Sequence, residues 1–305
     1  MAADASSYPS PVIVGIGEAL FDVFDEGPRL GGAPLNVAVH AHRLLQAVGR
    51  GAGVVVSRIG RDDLGSQIVE ALDRERMPVD FMQRDDALPT GQVTVKKDGG
   101  SHTFHIEPNA AWDAIAWSDA LVELAANCSA VAFGSLAQRD SVSRETIQRF
   151  VAESKQAIRL FDVNLRSSDG NDFYDADVLR RGCELATHVK LNDEELETVS
   201  RMTGTRSAED LLKTFELKAV IFTRGAKGTA AYTTDGLIEG EPAAAESKHS
   251  DADTVGAGDS CSAALLAAWV NGYEIKPALD FANRVAAYVA HQPGATPALP
   301  ASIRL

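Results

Sequence analysis

Cysteine is scarce in this chain: Cys128, Cys183 and Cys261 are far apart, odd in number and form no C-x-x-C pair. That excludes a disulfide framework and a zinc knuckle and fits a reducing compartment, so a cytoplasmic location is expected. Positive charge is short as well, with 29 Lys and Arg against 43 Asp and Glu and a net charge of -14. Proteins that grip a phosphate backbone cluster Lys and Arg, so nucleic acid is not an expected partner. A small anion is a different matter, because a few backbone N–H groups and a metal ion can hold one whatever the global charge. Long apolar runs are missing too. The longest, Ala263 to Val270, is far below the about 18 residues of a membrane span, and the polar N-terminal stretch has no apolar signal core, so no membrane is expected.

Two nucleotide fingerprints also fail. Leu20 occupies the third glycine position after Gly15-Ile16-Gly17, and Lys227 is followed by Gly228 where a P-loop needs Ser or Thr. The histidines, including His40 and His42, show no metal-ligand spacing and read as surface or packing residues. No linker, composition shift or repeat divides the chain, which reads as a loose tail over 1–11 and one domain over 12–305.

What is present is a large apolar supply, 45% of 305 residues. Short β-branched runs at 12–17, 53–60, 130–135, 158–164, 188–192 and 219–225 recur between helical stretches at 36–48, 64–76, 143–155 and 193–202. Continuous apolar strands separated by helices predict a doubly wound α/β fold with a mostly parallel sheet flanked by helices. Residues 92–106 break that rhythm, alternating with period two about Asp98-Gly99-Gly100. They predict a β-hairpin apart from the core, with Phe21, Val23 and Phe24 able to supply a strand beside it. A small β lid from segments near 18–33 and 90–112 is therefore expected, with Phe104 and Ile106 facing either substrate or a partner copy.

The strongest local signal is the run from Asp253 to Ser260, DTVGAGDS, followed by an Ala-rich helical stretch. Gly256, Ala257 and Gly258 allow a tight turn with exposed N–H groups, and the helix aims its positive end at the same point, which makes an anion hole. Asp259 then sits where a carboxylate can take the proton of a hydroxyl attacking a phosphoryl group, although a first-turn acid can simply complement the helix dipole. Asp162, Asn164 and Arg166 end a buried strand, at the edge where open sheets bind ligands; Arg166 there can meet a phosphate, or the group is a strand-end turn. Asn192 and Glu195 read as a helix cap with its capping-box acid, or as metal-organising groups. Thr223, Gly225 and Gly228 follow a further strand and could wrap a nucleotide or form a plain turn. Near the N-terminus, Asp22 and Asn36 offer paired hydrogen-bonding groups and Gly31-Gly32 close backbone approach, as polyol recognition requires.

GGAPLNVA, SRIGRDDLG at 57–65, FDVNLR, KLNDEE, TRGAKG and DTVGAGDS occur together, in order, between Val12 and Pro300. In these the chain resembles the ribokinase-like (PfkB) family of carbohydrate kinases. GEALFD, PTGQVTV and the AAWD at 110–113 resemble the bacterial fructokinases within it. The resemblance implies that Asp259 is the catalytic base, that Gly256, Ala257 and Gly258 form the anion hole, and that Asp22, Gly31, Gly32 and Asn36 hold the sugar. It further implies that Asn192 and Glu195 organise Mg²⁺ through water, that Thr223, Gly225 and Gly228 line ATP, and that Asn283 lies near adenine. Asp253 and the Val255 carbonyl are the implied ligands of a monovalent cation, although Ala298 stands where ribokinases often have a hydroxyl. The implied activity is ATP-dependent phosphorylation of a primary hydroxyl, D-fructose giving fructose 6-phosphate, by a homodimer joined through the lid. Alternatives are ribose, ketodeoxygluconate or a nucleoside such as adenosine as acceptor, or a non-catalytic sugar-binding regulator. Phe104-His105-Ile106 in the second hairpin strand offers a substrate carboxylate no Arg.

Overall fold

The apolar runs fold as the parallel strands β1 (Val12–Ile16), β4 (Ala52–Gly60), β5 (Met82–Asp85), β8 (Ala130–Phe133), β9 (Ile158–Asp162), β12 (His188–Leu191) and β13 (Ala219–Thr223). An antiparallel hairpin, β14 (Thr229–Thr233) and β15 (Gly236–Glu239), completes one edge, and the nine-stranded order is β15-β14-β13-β12-β9-β8-β1-β4-β5. The structure is a computed structural model. It describes residues 8–24, 27–98, 101–168, 170–244, 249, 252 and 254–305, with the backbone alone for 95–98 and 101–104.

Both faces of the sheet are covered, which is why its strands are apolar throughout. On one face Ile13, Leu160 and Ile221 pack with α1 (Ala33–Ala47), α8 (Ala257–Val270) and α9 (Ile275–Val289). On the other, Val14, Phe161 and Val189 pack with α3 (Asp119–Asn127), α4 (Ser141–Glu153), α5 (Ala176–Leu185), α6 (Asp193–Thr203) and α7 (Ala208–Thr214). Helix α2 (Asp63–Arg74) buries Ile68 and Leu72 against Val55 and Ile59 of β4. Helix α8 is buried on every side from Ser260 to Ala268, because it lies between the sheet, α1 and α9. An apolar stripe would leave part of such a helix unmatched, and its run of Ala, Leu and small polar residues has none.

The hairpin expected at 92–106 is β6 (Gly91–Asp98) with β7 (Ser101–Ile106); its Gly99-Gly100 turn lies outside the described residues. It joins β2 (Leu20–Phe24) and β3 (Gly27–Gly31) in a second sheet, β3-β2-β6-β7, where β2 pairs parallel with β6 and antiparallel with β3. A two-residue pair, β10 (Ser167–Ser168) and β11 (Asn171–Asp172), lies beside β7, with Ile106 N–H donating to Ser168 Oγ at 3.4 Å. Strands β5, β14 and β15 and helices α3, α5, α7 and α9 go beyond the sequence-level expectation; the added strands are short and partly polar, at or next to an edge of the sheet, so none carries a long continuous apolar run. No described helix is long and apolar enough to cross a membrane.

Candidate active site

A cavity of about 370 Å³ opens where the second sheet faces the carboxyl ends of the parallel strands. Strand β2 supplies Leu20, Asp22 and Phe24, the start of α1 supplies Gly32 and Asn36, and β6 and β7 supply Val93 and Ile106. Asn164 and Arg166 enter from the loop after β9, and Thr254, Val255, Gly256, Gly258 and Asp259 from the turn before α8. Residues far apart in the chain converge here because the ends of parallel strands and the loops that follow them share one edge.

The turn before α8 is as tight as its glycines predicted. Gly256 caps the helix with φ 77°, in the left-handed region, and a Cβ there would collide with the backbone of Ala295. Ser260 N–H closes the first helical bond on Gly256 O at 2.8 Å, and Ala257 N–H bonds Thr254 O at 3.3 Å. Ala257 thus braces the turn, and the helix-end donors facing the cavity are Gly258 and Asp259. The Asp259 carboxylate accepts from Asn36 Nδ2 at 2.8 Å. Asn36 itself lies inside α1, whose cap is Gly32, so its side chain is available for this bond. A Cβ at Gly31 would press on the Asp22 carboxylate, which would have to shift.

Glu18, which the sequence reading passed over, also lines the cavity. It is 4% exposed; its Oε1 accepts from Ala33 N–H at the start of α1 at 3.2 Å, and its Oε2 has no hydrogen-bond partner among the described residues. Burial pushes its carboxyl up to about 7, the neighbouring Asp259 adds to this, and backbone hydrogen bonds oppose it. Burial likewise lifts Asp259 to about 6, with Asp162 adding and the Asn36 bond, Lys190 and Arg166 opposing. A group that holds its proton more tightly folded than unfolded stabilises fully below its unfolded pKa, here 4.5, and that contribution is lost as pH rises through about 7. Glu18→Gln keeps an acceptor for Ala33 and never ionises. It is expected to match wild type near pH 4 and to be more stable near pH 8, by on the order of 2–3 kcal/mol. Thermal unfolding of both proteins at the two pH values checks this, and superimposable curves at pH 8 would refute it.

Other predicted residues are placed around the cavity rather than in it. Asp162 is buried at the end of β9, bonded to Lys190 Nζ at 2.7 and 2.8 Å and to Ser262 Oγ at 2.8 Å. Asn192 and Glu195 form the capping box of α6, and Glu195 Oε1 also accepts from Leu165 N–H at 3.0 Å, tying the ends of β9 and β12 together. Burial raises the Glu195 carboxyl, and Asp162 adds to that. Thr223 ends β13 on the same edge, and Gly225 and Gly228 shape a turn with positive φ, open space surrounding Gly225. Asn283 packs against Gly228 and Gly240 and donates to Glu241 O at 2.8 Å. Asp253 and the Phe104 side chain lie outside the described residues.

The family description "pfkB family carbohydrate kinase" matches residues 18–302. A fructokinase from Klebsiella pneumoniae is 31% identical over 301 residues, covering 93% of this chain and 95% of that one. Among solved structures, a double-mutant fructokinase from Vibrio cholerae O395 in fructose-, ADP- and potassium-bound form superposes with TM-score 0.74 at 26% identity, covering 95% of each chain. The same fold recurs in an ATP-bound fructokinase from Xylella fastidiosa, with TM-score 0.80 at 23% identity over 93% of each chain.

Proposed function

The chain belongs to the pfkB family of carbohydrate kinases and is a phosphotransferase with a sugar acceptor; from that premise we propose that it carries the γ-phosphoryl group of ATP to the primary hydroxyl of D-fructose, giving fructose 6-phosphate. The observation that carries this reading is the Asp259 carboxylate, held by Asn36 beside the Gly258 N–H at the positive end of α8. In this reading Asp22, Gly31, Gly32 and Asn36 orient the sugar hydroxyls, with Ile106 closing the apolar side. Asp259 takes the proton of the attacking hydroxyl, while Gly256, Gly258 and Arg166 face the charge that develops on the phosphoryl oxygens.

The residues present fit ATP and Mg²⁺. A Cβ at Gly258 would meet no more than ordinary contact with Lys190 Nζ at 3.7 Å, so the turn is uncrowded where a phosphate would approach the helix end. Among the described residues no three His, Cys, Asp or Glu gather as a metal cage, and both Glu195 oxygens already accept from backbone N–H groups. That donor set would suit a magnesium ion that keeps its waters, which Glu195 would hold by accepting a hydrogen bond from one of them. Bound there, nucleotide and ion supply the transferable phosphoryl group and its charge neutralisation. Thr223, Gly225 and Gly228 would line the nucleotide and Asn283 support its base end. The Val255 carbonyl and Asp253 would take a monovalent cation. We assign residues 12–305 to one domain, its second sheet acting as lid, and propose a homodimer formed through that sheet, whose edges would otherwise be exposed.

A coupled kinase assay over fructose, glucose, ribose, adenosine and ketodeoxygluconate tests the acceptor, with NMR of the product locating the phosphate. Fructose is expected to have the highest kcat/KM. Arg166 makes ketodeoxygluconate the informative competitor, because it is a cation on the cavity wall. A tenfold preference for that acid would overturn the assignment of fructose.

A further inference from the structure

Helix α1 carries Asn36, His40 and Arg43 at i, i+4 and i+7, one stripe of a 3.6-residue helix. Asn36 reaches Asp259. The other two reach a single short segment, residues 295–297, near the end of the chain. His40 is 0% exposed, and its Nε2 lies 3.0 Å from the Ala295 carbonyl oxygen. Burial pushes the imidazole down to about 4, so the ring is neutral at working pH, and a carbonyl partner assigns its one proton to Nε2. Arg43 donates through Nη1 to the carbonyls of Thr296 at 2.8 Å and Pro297 at 2.9 Å, while its Nε and Nη2 hold the Glu75 carboxylate at 2.9 and 2.7 Å.

The Ala295 carbonyl has a second neighbour. It is the atom a Cβ at Gly256 would strike first, followed by the Ala295 Cα and carbonyl carbon. The backbone that His40 holds is therefore the seat against which the turn before α8 is pressed. Packing alone does not call for a polar ring here, since Val37, Ala41 and Leu44 bury apolar side chains on the same helix. A buried imidazole with one ring nitrogen, Nδ1, lacking a partner among the described residues costs more than a hydrocarbon of similar size.

We propose that His40, seconded by Arg43, is a positioning residue for phosphoryl transfer: it fixes the 295–297 backbone under Gly256 and so aims the N-terminus of α8 and Asp259 at the reacting groups. This role rests on the reading of Gly256, Gly258 and Asp259 given above. Misplacement of a catalytic constellation by about 1 Å can cost up to 10²-fold in rate while leaving ligand contacts largely in place. The loss should therefore fall on kcat.

The test compares His40→Leu, which removes the donor, with His40→Gln, which returns an N–H at a similar reach. Steady-state kinetics would use whichever acceptor the wild type turns over best, with Asp259→Asn as a control. His40→Leu is expected to lower kcat about tenfold with both KM values within about twofold, and His40→Gln to recover most of the loss. A packing role would instead lower the melting temperature of both variants and leave kcat per folded enzyme unchanged. Wild-type kcat in folded His40→Leu, or equal losses in the two variants, would overturn the proposal. Should His40→Leu fail to fold, the half-buried Arg43→Gln decides in its place: a 3- to 10-fold loss in kcat at constant KM supports the role, and no loss removes it. An active Asp259→Asn would bring down the reading of the site and this role with it, whereas an inactive one beside a fully active His40→Leu would bring down the role alone.

Discussion

Replacing Asp259 by Asn is expected to lower kcat by about 10²- to 10⁴-fold, the usual cost of removing a general base, while sugar and nucleotide still bind. Asn is nearly isosteric and can keep a hydrogen bond to Asn36, so the cavity wall should survive. What disappears is the capacity to take a proton. The wild-type pH profile should carry the same signature. Burial holds the carboxyl near 6, above the ordinary carboxylate range, and a base must be ionised to act. The logarithm of kcat/KM should therefore fall below about pH 6 with unit slope, and the residual activity of the Asn variant should lack that limb. Calorimetry of sugar and nucleotide binding together with pH-rate profiles checks both halves. Lost binding with an unchanged residual kcat would place Asp259 in ligand binding instead.

The largest effect on stability is expected at Lys190→Met. The ammonium and the Asp162 carboxylate are 5% and 7% exposed, joined by two bonds of 2.7 and 2.8 Å, with Ser262 completing the carboxylate shell. Burial alone would depress the lysine, but the Asp162 charge and hydrogen bond, together with Cys261 and Glu195, outweigh it, so the ammonium stays charged. Removing one partner of a buried pair leaves the other uncompensated and typically costs 3–5 kcal/mol, about the size of a domain's entire lower-range stability. Urea unfolding of Lys190→Met should show a clear loss at pH 7. The double change Lys190→Met with Asp162→Asn should recover much of it, because no charge is then left buried. A double mutant no more stable than the single would show that the loss comes from packing rather than from the stranded carboxylate.

Much of the fold was legible in the sequence because its signals are local. A strand buried on both faces has to be apolar throughout, so β1, β4, β8, β9, β12 and β13 stand out as runs; a sheet beside a cavity alternates, so β6 and β7 stand out at period two. The glycine of the turn before α8 and the Asn192 cap of α6 are likewise set by backbone geometry that few residues satisfy. Strands β14 and β15 carry no such run, being a short hairpin at the edge of the sheet with a polar mix.

The polar residues divide differently. By itself the sequence determined which residue types stand at the ends of the parallel strands, and hence that Arg166, Asn192, Thr223 and the turn carrying Asp259 could share one edge. Only the tertiary structure decided which of them meet and which lose water. Asn36 and Asp259 are 223 positions apart, and His40 and Ala295 are 255 apart. Asp162 reads from its place at the strand end as a ligand group, yet Lys190 from the neighbouring strand claims it; Glu18 drew no reading and His40 read as a surface or packing residue, and both are buried, the first in the cavity wall and the second beneath the turn before α8. The reason is physical. Local propensity depends on a residue's own backbone and near neighbours and is the same for a solvated carboxyl as for one destined to be buried. Desolvation and charge pairing are set by atoms that arrive from elsewhere in the chain, and they exist only once the layers have packed.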